Sequence, residues 1–270
     1  MTTYHQYIDQ VCSIARLAGH EIMDIYKNHD FDVNYKEDKS PVTIADLKSD
    51  TLITEQLNIL SPDIPVLSEE TSSEHPYEER RQWQRYWLVD PLDGTKGFIH
   101  RNDFFTVNIA LIENHTAVLG VIYTPAKDQL YYAAEGYGAY RQDGNAKPRK
   151  ISVCKQLRAK PIVTVSRAHI NVPTRNLLEK IGDHELLRAD SSLKCCLIAD
   201  GSADLYVRVG PTYEWDTAAG QCIVEQAGGI LSDYAEQPLR YNTQDSLINP
   251  PFVVHSPASP EWRPFVSLDN

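Results

Sequence analysis

No stretch of this 270-residue chain approaches the roughly 20 consecutive apolar residues that a membrane-spanning helix requires. Positive charge is also scarce. Against 37 aspartates and glutamates stand 26 lysines and arginines, giving a formal net charge of −11. Nucleic-acid polymers are held by basic surfaces, so such a polymer is excluded as the main partner. A small anionic substrate stays compatible, because bound divalent metal reverses the sign of the local field. The five cysteines (Cys12, Cys154, Cys195, Cys196, Cys222) form no Cys-x-x-Cys pair and no repeated spacing. Their odd number and apolar neighbours mark reduced, mostly buried thiols of a reducing compartment. There is no His-Glu-x-x-His or paired histidine spacing for zinc, no Gly-x-x-x-x-Gly-Lys-Ser/Thr loop and no Gly-x-Gly-x-x-Gly turn. Zinc hydrolysis, a nucleoside-triphosphatase loop and a dinucleotide site therefore have no support. Internal repeats and low-complexity segments are missing too. At the N-terminus Asp9 and Arg16 interrupt any apolar signal core, and the expected location is the cytoplasm.

What is present is an ordinary globular composition, 42% hydrophobic and 23% charged, enough for one large core or two packed halves. Ile8, Val11, Ala15, Ala18, Ile22 and Ile25 recur at steps of three and four, the stripe of an amphipathic helix. A polar loop is expected through Lys36–Pro41. A second helix should start near Thr43, with Thr43-Ile44-Ala45-Asp46 as a capping box and Leu47, Leu52, Ile53, Leu57 and Leu60 as apolar contacts. Pro65–Ser68 reads as a strand ending in Glu69-Glu70, Thr71–Gln84 as a charged loop, and Tyr86–Val89 as the next strand. Phe105–Leu111 alternates as a strand, and β-structure continues from Ala117 to Tyr140. A second half begins near Lys160 with a strand (Ile162–Val165), a helix (Thr174–Ile181), an apolar segment (Leu193–Ala199) and a strand (Leu205–Val209). Its last helix is expected to be capped by Asp216-Thr217 and stopped by Gly228-Gly229. The mixed order predicts an α+β or layered α/β fold. We divide it into residues 1–158 and 159–270, forming together one catalytic unit.

The chemistry concentrates in Trp87-Leu88-Val89-Asp90-Pro91-Leu92-Asp93-Gly94-Thr95. Two carboxylates three residues apart at a strand end repel each other unless a cation neutralises them, which asks for a hard, oxygen-seeking ion such as Mg²⁺. Gly94 lets the backbone turn and aim N–H groups at a phosphate. Alone, Asp-Pro followed by Asp-Gly is also common turn chemistry. The acidic Glu69-Glu70 pair ends another strand, so the two sites fit adjacent strand ends; consecutive glutamates are otherwise a solvated pair. Asp46 reads equally as capping partner or base, Asp216 as helix cap or metal ligand, and Lys96 and Lys194 as phosphate contacts or surface residues.

The Asp90–Thr95 string with Trp215-Asp216-Thr217-Ala218-Ala219-Gly220 and Leu67-Ser68-Glu69-Glu70 resembles the paired signatures of the inositol monophosphatase superfamily. Within it the chain most resembles the CysQ-type 3′(2′),5′-bisphosphate nucleotidases, through Tyr86–Lys96, Phe105–Ala110, Val165–His169, Ser191–Lys194 and Gly210–Thr212. The resemblance implies a layered αβαβα sugar-phosphatase-type fold with two mixed sheets between helix layers. It implies a lithium-sensitive, Mg²⁺-dependent phosphatase of a small phosphate substrate, with a role in sulfur assimilation or nucleotide recycling. By motif position, Glu69, Asp90 and the Leu92 carbonyl would hold a first metal, and Asp90, Asp93 and Asp216 a second. Asp46 and Thr95 would orient the attacking water, with Glu70 nearby. The Gly94 and Thr95 N–H groups would receive the phosphate, beside Asp93 and Asp216. Ser192 and Lys194 would face the nucleoside. Gly97 stands where this group usually carries glutamate. Hydrolysis of the 3′-phosphate of adenosine 3′,5′-bisphosphate, with 3′-phosphoadenylyl sulfate as a further substrate, is the expected reaction. Inositol or sugar monophosphate hydrolysis is the alternative. A silent metal and nucleotide sensor is disfavoured, since pure binding needs no Asp46, Glu70 and Thr95 together. Peripheral inner-membrane association is the alternative location, though no basic amphipathic stretch supports it. No oligomeric state is assigned.

Overall fold

The computed structural model describes residues 4–28, 33–35, 41–167, 170, 172–259 and 262–263. Helix α1 (Ile8–Lys27) forms where the apolar spacing predicts it, burying Ile8, Val11, Ala15, Ala18 and Ile22, with Ile25 half-buried. A short antiparallel ribbon of β1 (Val33–Tyr35) and β2 (Pro41–Thr43) leads into α2 (Ile44–Leu60). Residues 36–40 of the expected polar loop lie outside the described residues, and Pro41 belongs to β2. The capping box forms as read: Thr43 Oγ1 accepts from Ala45 N, and the Asp46 carboxylate accepts from Thr43 N. Leu47 is a correction, for it is exposed. The cap fixes an inner face made by Ala45, Ser49, Ile53 and Leu57, and Leu47 stands about 200° round the helix from Ala45.

Strand β3 (Val66–Ser68) follows. The Thr71–Gln84 loop contains a four-residue helix, α3 (Tyr77–Arg80), too short to show a period in the sequence. Next come β4 (Arg85–Asp93), the one-turn α4 (Thr95–Ile99), and then β5 (Thr106–Glu113), β6 (Thr116–Thr124), β7 (Gln129–Ala134), β8 (Gly138–Asp143) and β9 (Arg149–Lys150). The later residues supply β10 (Ile162–Val165), α5 (Val172–Ile181), β11 (Glu185–Arg188), α6 (Leu193–Ala199), β12 (Leu205–Arg208), α7 (Glu214–Gln226), β13 (Ile230–Asp233) and β14 (Phe252–His255).

Strands β3 to β9 form one sheet in sequence order, parallel between β3 and β4 and antiparallel thereafter. The second sheet runs β11-β10-β12-β14-β13, and it is mixed as well. Alternation along β5 explains the stacking. Val107, Ile109 and Leu111 join α1 and α2 in one core, while Ala110 and Ile112 join α6, α7 and one face of the second sheet in another. The opposite face of the second sheet packs on α5 through Val163, Val165, Leu177 and Leu205. The order is helix, sheet, helix, sheet, helix, the αβαβα arrangement expected above. The first sheet takes its strands from residues 66–150 and the second from 162–255.

Helix α7 lies close on the first sheet because its small Ala218-Ala219-Gly220 run meets Gly120 of β6. A Cβ at Gly120 would collide with the Ala219 carbonyl oxygen and sit 2.9 Å from its Cα. That close approach places the helix start beside the end of β4. Asp216 corrects the sequence reading: it does not occupy the cap. Tyr213, held extended by a bridge to Ile248, is the N-cap, and Asp216 is the third helical residue, its carboxylate accepting from Tyr213 N at 2.8 Å.

Candidate metal centre and phosphate cavity

The parallel pairing of β3 with β4 decides where the acidic pairs meet. Glu69 N donates to the Val89 carbonyl at 3.0 Å, which sets Glu69 beside Asp90 at neighbouring strand ends. Past Asp90 the ladder slips: Asp90 pairs with Asn108 but Asp93 with Thr106, so four residues oppose three. Pro91, which has no N–H to give, lies inside this bulge. The bulge returns Asp93 to the same side as Asp90, and α7 delivers Asp216 from across the helix layer. Carboxylate oxygens of Asp90, Asp93 and Asp216 all lie within 4.8 Å of one another.

Each carboxylate is oriented through one oxygen and offers the cluster the rest. Asp90 is 1% exposed; its Oδ1 accepts from Leu92 N at 3.1 Å, while Oδ2 is buried without a hydrogen-bond donor. Asp93 Oδ2 accepts from Ser192 N at 2.7 Å and Ser192 Oγ at 2.6 Å, with Asn108 Nδ2 at 3.4 Å. Burial pushes Asp90 well above the usual carboxylate range, and the charges of Glu69, Asp93, Asp216 and Asp46 push it further. Burial, then Asp93 and Glu69, raises Asp216 to about 8, against the opposing bond from Tyr213 N. Such a cluster is costly in the absence of positive charge. An orphaned buried oxygen and an all-oxygen donor set fit a hard divalent cation.

Beside the cluster, Thr95 Oγ1 lies 3.0 Å from Asp46 Oδ1 and 3.3 Å from the Leu92 carbonyl. Asp46 Oδ2 is held by Thr43 N at 2.7 Å and Thr43 Oγ1 at 2.6 Å. Burial raises the Asp46 pKa, and the bonds from Thr43 and Thr95 oppose that rise. Glu70 follows Glu69 at the strand end and is half-buried. Gly94 turns the chain between β4 and α4 at φ +94°, and a Cβ there would collide with Ser191 Oγ.

Asp93, Gly94 and Asp216 form part of the wall of a cavity of about 640 Å³. Lys194, Tyr206 and Arg208 also line it. Lys194 is buried, donates from Nζ to the Ser191 carbonyl at 2.8 Å, and lies 5.3 Å from the Tyr206 ring centre. Burial lowers its pKa, the nearby Asp93 charge opposing. Ser192 also reaches the cavity, but its hydroxyl is engaged with Asp93 and with the Asp216 carbonyl at 2.8 Å. Two supporting residues escaped the sequence reading: Asn108 donates to Ser192 Oγ at 2.9 Å, and Ser49 Oγ donates to the Pro91 carbonyl at 2.8 Å. Ser191, within the segment expected to face the nucleoside, donates from Oγ to the Asp93 carbonyl at 3.1 Å. For Ser49 the available signal was a polar residue one turn before Ile53 on the apolar face of its helix; Asn108 lies on the polar phase of the β5 alternation and carried no such signal.

Residues 3–260 match the Inositol monophosphatase family. The chain is 47% identical to the 3′(2′),5′-bisphosphate nucleotidase CysQ of Shigella flexneri, across 92% of this chain and 98% of that one. It is 46% identical to the CysQ nucleotidase of Escherichia coli K12, with the same shares covered. Among solved structures it resembles CysQ from Bacteroides thetaiotaomicron, with TM-score 0.81 and 39% identity over 94% of this chain and 98% of that one. Shared fold, motif order and near-complete coverage lead to one conclusion: the chain belongs to the inositol monophosphatase family.

Proposed function

We propose that this protein is a Mg²⁺-dependent phosphatase that removes the 3′-phosphate of adenosine 3′,5′-bisphosphate, giving AMP and phosphate. On this reading 3′-phosphoadenylyl sulfate is a second substrate and the setting is the cytoplasm. The observation that carries the reading is the orphaned Asp90 Oδ2 inside a ring of carboxylates, in contact with a cavity large enough for a nucleotide. Relatives named for this nucleotidase activity share nearly half of its residues.

Asp90, Asp93 and Asp216, with Glu69 and the Leu92 carbonyl, would hold the cations. Bound there, divalent ions supply charge neutralisation to the phosphate and lower the pKa of water. The chain's own residues do the rest. Thr95 Oγ1 donates to Asp46 Oδ1 and accepts from a water beneath the phosphate. As that water attacks phosphorus, the bond from phosphorus to the 3′ oxygen breaks, and the departing 3′ oxygen takes a proton from solvent to become the AMP hydroxyl. The water's proton passes to Thr95, whose own proton passes to Asp46. Asp46 is suited to receive it because burial has raised its pKa. Glu70 adds negative charge at the same strand end. The Gly94 and Thr95 N–H groups would receive the phosphate oxygens, and Lys194, which lines the same cavity as Gly94, would face the sugar.

A phosphate-release panel tests this directly. Adenosine 3′,5′-bisphosphate, 3′-phosphoadenylyl sulfate and inositol 1-phosphate are compared with Mg²⁺, without it, and with added Li⁺. The expected result is Mg²⁺-dependent release, highest kcat/KM on the nucleotides, and inhibition by Li⁺. Preference for inositol 1-phosphate would replace the nucleotide assignment, and metal binding without turnover would make the protein a sensor. No helix of the described residues is long and apolar enough to cross a membrane.

A further inference from the structure

The start of α7, which carries Asp216, is gripped by the loop that follows β13. Glu214 N donates to the Leu247 carbonyl at 2.9 Å, and Asn249 Nδ2 donates to the Tyr213 carbonyl at 2.6 Å and to Thr217 Oγ1 at 3.1 Å. The helix grips the loop in return through a buried carboxylate. Glu214 is 4% exposed, and its Oε1 and Oε2 accept from Asn242 N at 2.9 and 2.8 Å. Asn242 stands at φ +56°, a conformation that asparagine tolerates better than most side chains.

Asn242 is fixed in turn by Arg80, the last residue of α3. Its Nδ2 donates to the Arg80 carbonyl, and its Oδ1 accepts from Arg80 Nη1. Arg80 is 3% exposed, yet its guanidinium is spent mainly on backbone: Nη1 donates to the Gln244 carbonyl at 3.1 Å and Nη2 to the Asp245 carbonyl. The Asp245 carboxylate, 3.6 Å away, is exposed. Burying a guanidinium and a carboxylate is a poor route to stability, because both lose their hydration. A well-bonded buried network instead holds one geometry. Here the geometry held is the first turn of α7. Two residues after Glu214 comes Asp216, whose Oδ2 accepts from Tyr213 N at 2.8 Å. Arg80 also ends the segment that leaves the Glu69-Glu70 strand end, so the same contacts tie that segment to α7.

We infer that Arg80, Asn242 and Glu214 form a clasp that positions Asp216 for metal binding. They act through Asp216 and its helix turn, for none of the three lines the cavity. The clasp rests on the metal-dependent phosphatase reading and deepens it by naming what holds one ligand of the centre in place.

The test is calorimetric titration of the nucleotide-free protein with Mg²⁺, set beside the thermal midpoint in EDTA. Asn242→Gly keeps the N–H that Glu214 accepts and suits φ +56°, but it removes both side-chain bonds with Arg80. It is expected to raise the Mg²⁺ dissociation constant about tenfold, as loss of an outer partner of a metal site does. In turnover, kcat should return at saturating Mg²⁺ with KM for nucleotide unchanged. Glu214→Ala should weaken Mg²⁺ binding to the same degree, while Glu214→Gln, which keeps an oxygen for Asn242 N, stays near wild type. Wild-type Mg²⁺ affinity in Asn242→Gly overturns the clasp whatever its thermal midpoint, since a purely structural role lowers the midpoint alone. Equal weakening in Glu214→Gln and Glu214→Ala also overturns it, because the carboxylate would then act by its charge. Should Asn242→Gly fail to fold, the Glu214 pair decides. A wild type that binds no Mg²⁺ overturns the metal centre itself, and the clasp with it.

Discussion

Replacing Ser192 by alanine separates two roles that the structure places side by side. Ser192 reaches the cavity, yet its hydroxyl donates to Asp93 Oδ2 at 2.6 Å while its backbone N holds the same oxygen at 2.7 Å. A hydrogen bond to a charged acceptor contributes roughly 1.5–3 kcal/mol. The backbone bond survives the substitution, so Asp93 stays in place but is less firmly aimed. Losing an outer partner of a metal-binding carboxylate costs roughly 10–100-fold in metal affinity. Ser192→Ala is therefore expected to raise the Mg²⁺ concentration for half-maximal phosphate release by roughly that factor, with kcat at saturating Mg²⁺ little changed. Calorimetric titration of the nucleotide-free protein with Mg²⁺ should show the same weakening. An unaltered Mg²⁺ dependence with a raised KM for nucleotide would refute the reasoning, and would mean the hydroxyl serves the substrate instead.

Other outcomes follow from the same geometry. Asp216 sits at about 8 in the fold against about 3.9 in an unfolded chain. A raised pKa means the folded state keeps the extra proton, so this stabilisation is full below about 4 and lost as pH climbs through about 8. In EDTA the thermal midpoint should drop across that window, and added Mg²⁺ should raise it more at the alkaline end; a flat profile contradicts the repelling cluster. Gly120→Ala, which drives a Cβ into the Ala219 backbone, should cost about 1–3 kcal/mol in denaturant unfolding and also weaken Mg²⁺ binding by shifting Asp216. Asp93→Asn should lower turnover at saturating Mg²⁺ by about 100-fold or more while raising the metal-free thermal midpoint, because one of the repelling charges is gone. Near-normal turnover in that variant would sink the assignment of the centre.

Much of this site could be read from local pattern. The Asp90–Asp93 spacing, the Glu69-Glu70 strand end and the Thr43–Asp46 box each express chemistry within a few residues, and the structure joins the two strand ends by direct pairing. What escaped depends on contacts between distant residues. Asn108 matters only because Ser192 lies opposite it, 84 residues later in the chain. The start of α7 was misplaced because Tyr213 is no preferred cap residue. It is held extended by the bridge to Ile248, which no local pattern announces. Hydrophobicity alone counts Leu47 among the apolar contacts of α2, whereas the cap sets the phase of the helix and turns it outward. Strands β11, β13 and β14 went unread; they are four residues each, and their place in the sheet depends on neighbours far away in sequence.

Crystals soaked in Mn²⁺ and measured for anomalous scattering put the centre itself on trial. The account requires peaks coordinated by oxygens of Asp90, Asp93 and Asp216, with Glu69 in contact, and their loss when EDTA is added. Strong peaks elsewhere on the protein, with those carboxylates still bare, would contradict it.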